Sequence, residues 1–409
     1  MPPALRFADL AGVPIALDWY WWHDIPYDTH YPNFWPPRDG VEKFAAAIAR
    51  LQKRGIYTQI YMNGLSRAAD DASWADGGEA EALWREPGKG PTRCYYNPYD
   101  NCPLVDTCGE APRYHDLMSE QVRHAVKEGG LKAIYLDQIG CNSHQACYNP
   151  RHRHAPGDSC GPLAESRAFV ERLRRENPGV QFSTEDTGEE MMDLFDTMIT
   201  CTPSIERTWG NLFEPVAALQ AIWGDVVTLF GSYGIIDGVT PFDPRWPQDR
   251  RLKKELDWHA MFPDQFAYEL AHTLVYGVQP CVHNFRDECL DNPELAEDLR
   301  FMVEVARFRH RHADVFGDFL AAHPGEMTCA RRTVKFCSRG IYSAAWYGEM
   351  FLDGYPAVLH STWRHPGTGA VRTVLVNWTR ERQACRLVSP DATFDGTLAP
   401  REIRMVDVR

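Results

Sequence analysis

A chain of 409 residues with 44% hydrophobic content carries enough apolar material for a barrel of ordinary size and a smaller second domain. Its net charge of −13 argues against a nucleic-acid partner, and no apolar run reaches membrane-spanning length. Residues 1–12 hold one arginine and no sustained apolar stretch, so no signal peptide is expected; a cytoplasmic protein with reduced thiols is, despite twelve cysteines.

Strand-like and helix-like segments alternate along most of the chain. Val13–Trp19 reads as a strand, Val41–Arg54 as a helix and Tyr57–Asn63 as a strand that stops at Gly64. After a long loop, Tyr114–Lys127 reads as a helix that leads into the strand ending at Asp137. Helix Pro162–Arg175 precedes the strand ending at Glu185, and a short helix at Glu189–Phe195 precedes a strand at Thr197–Cys201. A helix at Phe213–Trp223, a strand at Val226–Tyr233, a helix at Gln265–Tyr276, a strand at Pro280–Phe285 and a helix at Pro293–His312 close the series. Such alternation predicts an α/β fold with a parallel sheet, a TIM-like (β/α)8 barrel. Seven strands are visible where a full barrel has eight, so the first strand is either poorly marked within residues 1–12 or missing. From Glu326 the pattern changes to short runs without helices, namely Thr333–Phe336, Ala357–Thr362, Val371–Asn377 and Cys385–Val388. We therefore expect a barrel over 1–325 and a small antiparallel, sandwich-like β domain over 326–409.

Asp137 and Glu185 are the first carboxylates at the ends of two short apolar runs, Ala-Ile-Tyr-Leu-Asp137 and Val-Gln-Phe-Ser-Thr-Glu185. In a barrel the C-terminal strand ends share one mouth, so the two would face a common pocket. Paired carboxylates across a pocket are what glycosidic bond cleavage needs. The competing reading of Asp137 is a helix N-cap, and the acidic cluster Asp186, Glu189 and Glu190 fits the start of a short helix.

The segment Asp18-Trp-Tyr-Trp-Trp-His23, with Pro26-Tyr-Asp28-Thr, Tyr31-Pro and Gly55-Ile-Tyr-Thr-Gln-Ile-Tyr-Met-Asn63-Gly, resembles glycoside-hydrolase-like barrel proteins of bacteria. Tyr135-Leu-Asp137-Gln-Ile-Gly140 and Cys147-Tyr-Asn-Pro-Arg-His152-Arg-His154-Ala-Pro-Gly157 resemble the centre of the same family. The arrangement is similar to the endo-alpha-N-acetylgalactosaminidases and related retaining alpha-glycosidases, over roughly residues 13–290. That resemblance implies Asp137, ending the fourth strand, as nucleophile and Glu185, ending the fifth, as acid/base, with no cofactor and a carbohydrate as partner. It also makes Val13–Trp19 the second strand and leaves the first one missing.

Other residues at the strand ends are candidates for sugar contact: Trp19, Tyr20, His23 and Asp28 after the first visible strand, Tyr61 and Asn63 after the next, His283 and Asn284 after the last. Core packing is the competing role for each aromatic. The loop Gln138–Gly161 holds Cys141, His144, Cys147, His152, His154 and Cys160, but lacks the close cysteine pairing of structural zinc sites. The expectation is no metal, with His152 and His154 reaching the sugar, as the resemblance favours. The loop Leu65–Pro112, rich in Trp and Tyr, is expected to be a folded excursion. Two rival functions stand beside the glycosidase: a noncatalytic carbohydrate-binding protein derived from such a barrel, and a metal-dependent hydrolase using the His/Cys loop. Oligomeric state is not legible.

Overall fold

The computed structural model describes residues 2–26, 29–95, 101–185, 188–200, 218–236, 258–283, 285–321, 324–337, 349–389 and 393–408. They divide into two compact units, one formed by residues 14–198 and the other by residues 2–13 together with the described chain from 199 onward.

The first unit is built on parallel strands β1 (Ala16–Trp19), β2 (Tyr57–Asn63), β5 (Ala133–Asp137) and β6 (Gln181–Glu185), paired in that order. Crossover helices α2 (Val41–Lys53), α5 (Pro112–Lys127) and α7 (Cys160–Glu176) connect them. Helix α2 buries Phe44, Ala47, Ile48 and Leu51, an i, i+3, i+4, i+7 stripe, and α5 buries Tyr114, Met118, Val122 and Ala125 on one face. Residues Thr58–Asn63 of β2 and Ala133–Leu136 of β5 are buried without alternation, as expected for a sheet covered on both faces. The long excursion is folded, as expected. Strands β3 (Ser66–Ala68) and β4 (Leu104–Asp106) pair antiparallel, with short helices α3 (Ala72–Ala75) and α4 (Gly78–Glu81) between them. Its anchor is a buried ion pair, Arg67 Nη1 to Glu81 Oε2 at 3.3 Å. Glu81 also accepts from the backbone N–H groups of Arg113 (2.7 Å) and Tyr114 (3.2 Å), so its carboxylate caps α5. The short helix α6 (Ile139–Asn142) follows β5 directly.

In the second unit, strand β7 (Thr197–Thr200) runs in from the first, and α8 (Ala218–Trp223), β8 (Thr228–Ile235), α9 (Trp258–Met261), α10 (Gln265–Val275), β9 (Gln279–His283), α11 (Asp287–Asp291) and α12 (Ala296–Arg311) follow. Strands β8 and β9 pair in parallel. Among the described residues the two units together supply seven strands of parallel type, the number expected. Every residue of α10 is buried, because it packs on β8 and β9 and also on two strands of the C-terminal sheets, β14 (Val358–Arg364) and β15 (Val371–Asn377).

The remaining C-terminal strands are β10 (Phe319–Leu320), β11 (Glu326–Cys329), β12 (Arg331–Cys337), β13 (Glu349–Pro356), β16 (Gln383–Val388), β17 (Thr393–Leu398) and β18 (Ile403–Val408). They form antiparallel sheets β10-β14-β15-β18, β11-β16-β17 and β12-β13. Val358, Leu375, Cys385, Leu387 and Leu398 make the core between two of them.

Residues 2–11 supply no strand. They form α1 (Pro2–Ala11), which buries Phe7, Ala8 and Ala11 and stops at Gly12, whose φ of 67° and N–H to Ala8 O (3.0 Å) close the helix in a left-handed turn. Arg307 of α12 donates to the last carbonyls of α1, at Ala11 (2.9 Å) and Leu10 (3.0 Å). The expected helix at Glu189–Phe195 is a 3-10 turn over Glu189–Met191 only. Met191, Met192, Leu194 and Phe195 are all buried, a spread that one helical face does not serve. Of the helix expected from Phe213, residues 218–223 are helical and the start lies outside the described residues.

Candidate active site

The three central strands of the first unit end level with one another. Asn63 pairs with Asp137 across β2 and β5, and Leu136 pairs with Thr184 across β5 and β6. One further step along the second register sets Asp137 beside Glu185. Residues level on adjacent parallel strands point to the same face, and both carboxylates are half-buried. The approach of the two strand ends depends on glycine. A Cβ on Gly188 would meet the Gly140 carbonyl oxygen at 2.1 Å, and one on Gly140 would meet Thr184 Cγ2 at 2.3 Å. The Gly140 N–H donates to Thr184 Oγ1 at 2.9 Å, tying the turn after β5 to β6.

Asp137 is not spent as a helix cap. The residue entering α6 is Gln138, in the left-handed region at φ 65°. Asp137 instead accepts three side-chain hydrogen bonds: Tyr61 Oη to Oδ2 at 3.0 Å, Asn63 Nδ2 to Oδ2 at 3.2 Å and Tyr135 Oη to Oδ1 at 3.2 Å. Both oxygens are engaged, which fixes the plane of the carboxyl group. The donors are themselves held. Asn63 Oδ1 accepts from the N–H groups of Leu65 (3.0 Å) and Ser66 (2.6 Å), and Tyr61 Oη lies 3.2 Å from Tyr31 Oη. Tyr20 stacks on Tyr61 with ring centroids 4.0 Å apart.

Among the other anticipated residues, Tyr61 and Asn63 are therefore brought to Asp137, with Tyr20 beside them. Trp19 is half-buried and packs on Phe44 at 5.7 Å. His23 is fully buried, its Nδ1 3.1 Å from the Ile25 carbonyl. Asp28 and Asn284 lie outside the described residues, and His283 is the last residue of β9. Sequence reasoning missed Tyr135, although its spacing two before Asp137 places it on the same strand face. It also gave no site role to Tyr31, which stands in the Tyr31-Pro motif and reaches Tyr61 from a loop.

His152 and His154 are found in a second cluster of the same unit, with Cys147 and with Cys108, which the sequence marks as part of the Leu65–Pro112 excursion but not as a ligand. One ligand-type atom from each of the four lies within 4.8 Å of every other. Cys147 Sγ is 3.3 Å from His152 Nδ1, Cys108 Sγ is 3.4 Å from His154 Nε2, and the two ring nitrogens are 3.1 Å apart. The Cys147 thiol is pulled below its usual range by the hydrogen bond from the Cys108 thiol and then by His152. All ten described cysteine side chains are free thiols.

The fold, a parallel sheet followed by antiparallel C-terminal sheets, is similar to that of solved glycosidases. The alpha-N-acetylgalactosaminidase NagBb from Bifidobacterium bifidum aligns at TM-score 0.54 and 16% identity, over 92% of this chain and 51% of its own. The noncanonic maltogenic alpha-amylase AmyB from Thermotoga neapolitana aligns at 0.52 and 14%, over 94% and 82%. The chain belongs to the family described as Domain of unknown function (DUF6259), whose profile matches residues 1–233. Curated relatives from Bacteroides thetaiotaomicron (30% identical over 193 residues, 46% of this chain) and Monosiga brevicollis (24% over 254 residues, 58%) carry the name "Putative glycoside hydrolase". The aligned regions span 28% and 21% of those relatives' own lengths. No helix among the described residues is long and apolar enough to cross a membrane.

Proposed function

We propose that this protein is a glycoside hydrolase that cleaves alpha-linked sugars with retention, using Asp137 as nucleophile and Glu185 as acid/base. The observation that carries the reading is the register that sets Asp137 beside Glu185 on neighbouring strands. Adjacent strand backbones lie about 4.8 Å apart, so the two side chains start close enough to reach the roughly 5 to 5.5 Å carboxyl separation of retaining enzymes. In the first step an Asp137 oxygen bonds to the anomeric carbon while the glycosidic C–O bond breaks and Glu185 gives its proton to the departing oxygen. In the second, Glu185 takes a proton from water, the water oxygen bonds to the anomeric carbon, and the Asp137 ester is released. Tyr61, Asn63 and Tyr135 hold the attacking carboxylate throughout. The names of the curated relatives and the sugar named in the NagBb complex with GalNAc support the class of substrate.

In this reading, 1–325 is the catalytic barrel and 326–409 an accessory β domain. Tyr20 offers a ring face to the sugar, and Asp28, His283 and Asn284 offer polar contacts; Trp19, level with Ile60 and packed on Phe44 of α2, stands on the helix side of the sheet and serves the core instead.

The test is hydrolysis of a panel of aryl α- and β-glycosides, with the anomer of the first-formed product read by NMR. Asp137→Asn and Glu185→Gln should each lower turnover by about 10²- to 10⁴-fold. The Glu185→Gln loss should be smallest on aryl groups that leave without a proton. Full turnover in either variant would reject the assignment. Sugar binding without turnover on any substrate would favour the noncatalytic reading.

A further inference from the structure

We infer that Cys108, Cys147, His152 and His154 form a structural zinc site that clamps the loop after β5 to the excursion between β2 and α5. The four come from two separate stretches. Cys108 lies two residues beyond β4, and the other three lie in the loop that follows the strand bearing Asp137.

The hydrogen bonds around the rings fix which nitrogen offers a lone pair. His152 Nε2 is 2.8 Å from the Ala80 carbonyl and His154 Nδ1 is 2.9 Å from the Ala155 carbonyl. A carbonyl only accepts, so each of those nitrogens carries the proton. The nitrogens left as lone pairs in the neutral rings are His152 Nδ1 and His154 Nε2, which face each other at 3.1 Å. Two lone pairs at that distance need a positive charge between them, a shared proton or a metal ion, and with a thiol sulfur 3.3 or 3.4 Å from each nitrogen a single metal ion engages all four atoms at once. Remote ring N–H groups held by carbonyls are also the usual outer support of metal-bound histidines.

The spacing fits zinc. With bonds of about 2.0–2.1 Å to nitrogen and 2.3 Å to sulfur, tetrahedral geometry separates two nitrogens by roughly 3.3 Å and sulfur from nitrogen by roughly 3.6 Å. The corresponding separations here are 3.1 Å between the nitrogens and 3.3 and 3.4 Å from sulfur to nitrogen. Both cysteines are buried, at 1% and 0% exposure, in an apolar patch with Leu83. Four protein ligands leave no open position for substrate or water, which makes the site structural rather than catalytic.

What the ion would join is already knitted together around it. Tyr148 N–H donates to Trp84 O at 2.8 Å, and Asn149 Nδ2 donates to the Ala82 carbonyl at 3.0 Å. Arg153 pairs with Glu110 at 2.8 Å. Zinc would add to these contacts a fastening that does not depend on either segment folding alone.

Metal content measured by mass spectrometry on the full chain, after equilibration with Zn²⁺ and desalting, tests this independently of any hydrolytic activity. About one zinc per chain is expected. Cys108→Ser and Cys147→Ser should each lower it at least tenfold, while Cys141→Ser and Cys160→Ser leave it unchanged. Should the first two variants fail to fold, Co²⁺ replacement in the unaltered chain decides. Thiolate-to-cobalt charge-transfer bands with tetrahedral d–d bands are expected, and octahedral bands would overturn the proposal. A folded chain that takes up less than a tenth of an equivalent of zinc would overturn it, as would a native Cys108–Cys147 disulfide.

Discussion

At the scale of single residues, the carboxylate of Asp137 is held by groups whose removal leaves it in place but less constrained. Tyr61→Phe deletes one donor to Oδ2 and keeps the ring that stacks on Tyr20. A hydrogen bond to a charged group contributes about 1.5–3 kcal/mol, so turnover of a cleavable glycoside should fall roughly 10- to 100-fold with little change in Tm. An unchanged rate would mean that Tyr61 does not position the nucleophile. Asp137 and Glu185 were legible in the sequence because a strand end is a local feature that a short apolar run marks. Tyr135 was legible too, by alternation along its own strand, and was passed over. Tyr31 and Cys108 were not, since each meets its partners only after distant segments fold together. The Cys/His cluster was hidden for the same reason: its local spacing, Cys147 to His152 to His154, shows three candidate ligands without the fourth.

Among the elements, the excursion between β2 and α5 depends on one buried acid. Glu81 neutralises Arg67 and caps α5, so Glu81→Ala leaves a buried guanidinium uncompensated and the helix start open. Breaking one side of such a pair costs about 3–5 kcal/mol. Denaturant unfolding should show that loss, and a midpoint within error of the parent would refute the role given to Glu81. The turns after β5 and β6 make a second, sharper case. Gly188→Ala sets a methyl group against the backbone oxygen of Gly140, which cannot swing away as a side chain could. The two strand ends must part, and hydrolysis should drop further than stability does. Sequence periodicity gave Tyr57–Asn63 its true limits, because turn signals flank it and its burial is continuous. It missed α1, where ten residues carry a buried stripe too short to stand out from their flanks.

Over the molecule as a whole, acid should weaken the first unit through His115. Its ring stacks on Phe169 of α7 at 4.1 Å, and burial, reinforced by Arg172, pushes its pKa down to about 3. The unfolded chain takes up a proton there at about pH 6.5, while the folded chain does not until near pH 3. Stability is therefore undiminished above about 6.5 and declines as pH falls through that window. Between pH 7 and 5 the parent should lose on the order of 5 °C more in Tm than a His115→Phe variant. Equal slopes would show that another group governs the acid limb. The alternation of elements foretold the parallel sheet and the later change to antiparallel pairing. It did not foretell that β10, ahead of residue 326, joins the antiparallel side, or that α10 would be buried from end to end.

The level alignment of Asn63, Asp137 and Glu185 has a consequence for how this chain can vary. Their common direction is set by counting along the strands, so deleting one residue inside β5 would turn the carboxylate to the opposite face however well its identity were kept. Substitutions across the rest of β2, β5 and β6 can accumulate without that penalty. Changes of length should be confined to the segments between the strands, outside the turns that carry Gly140 and Gly188. A library of single-codon deletions would display the centre as three short intervals where no deletion survives, each ending at the last residue of its strand.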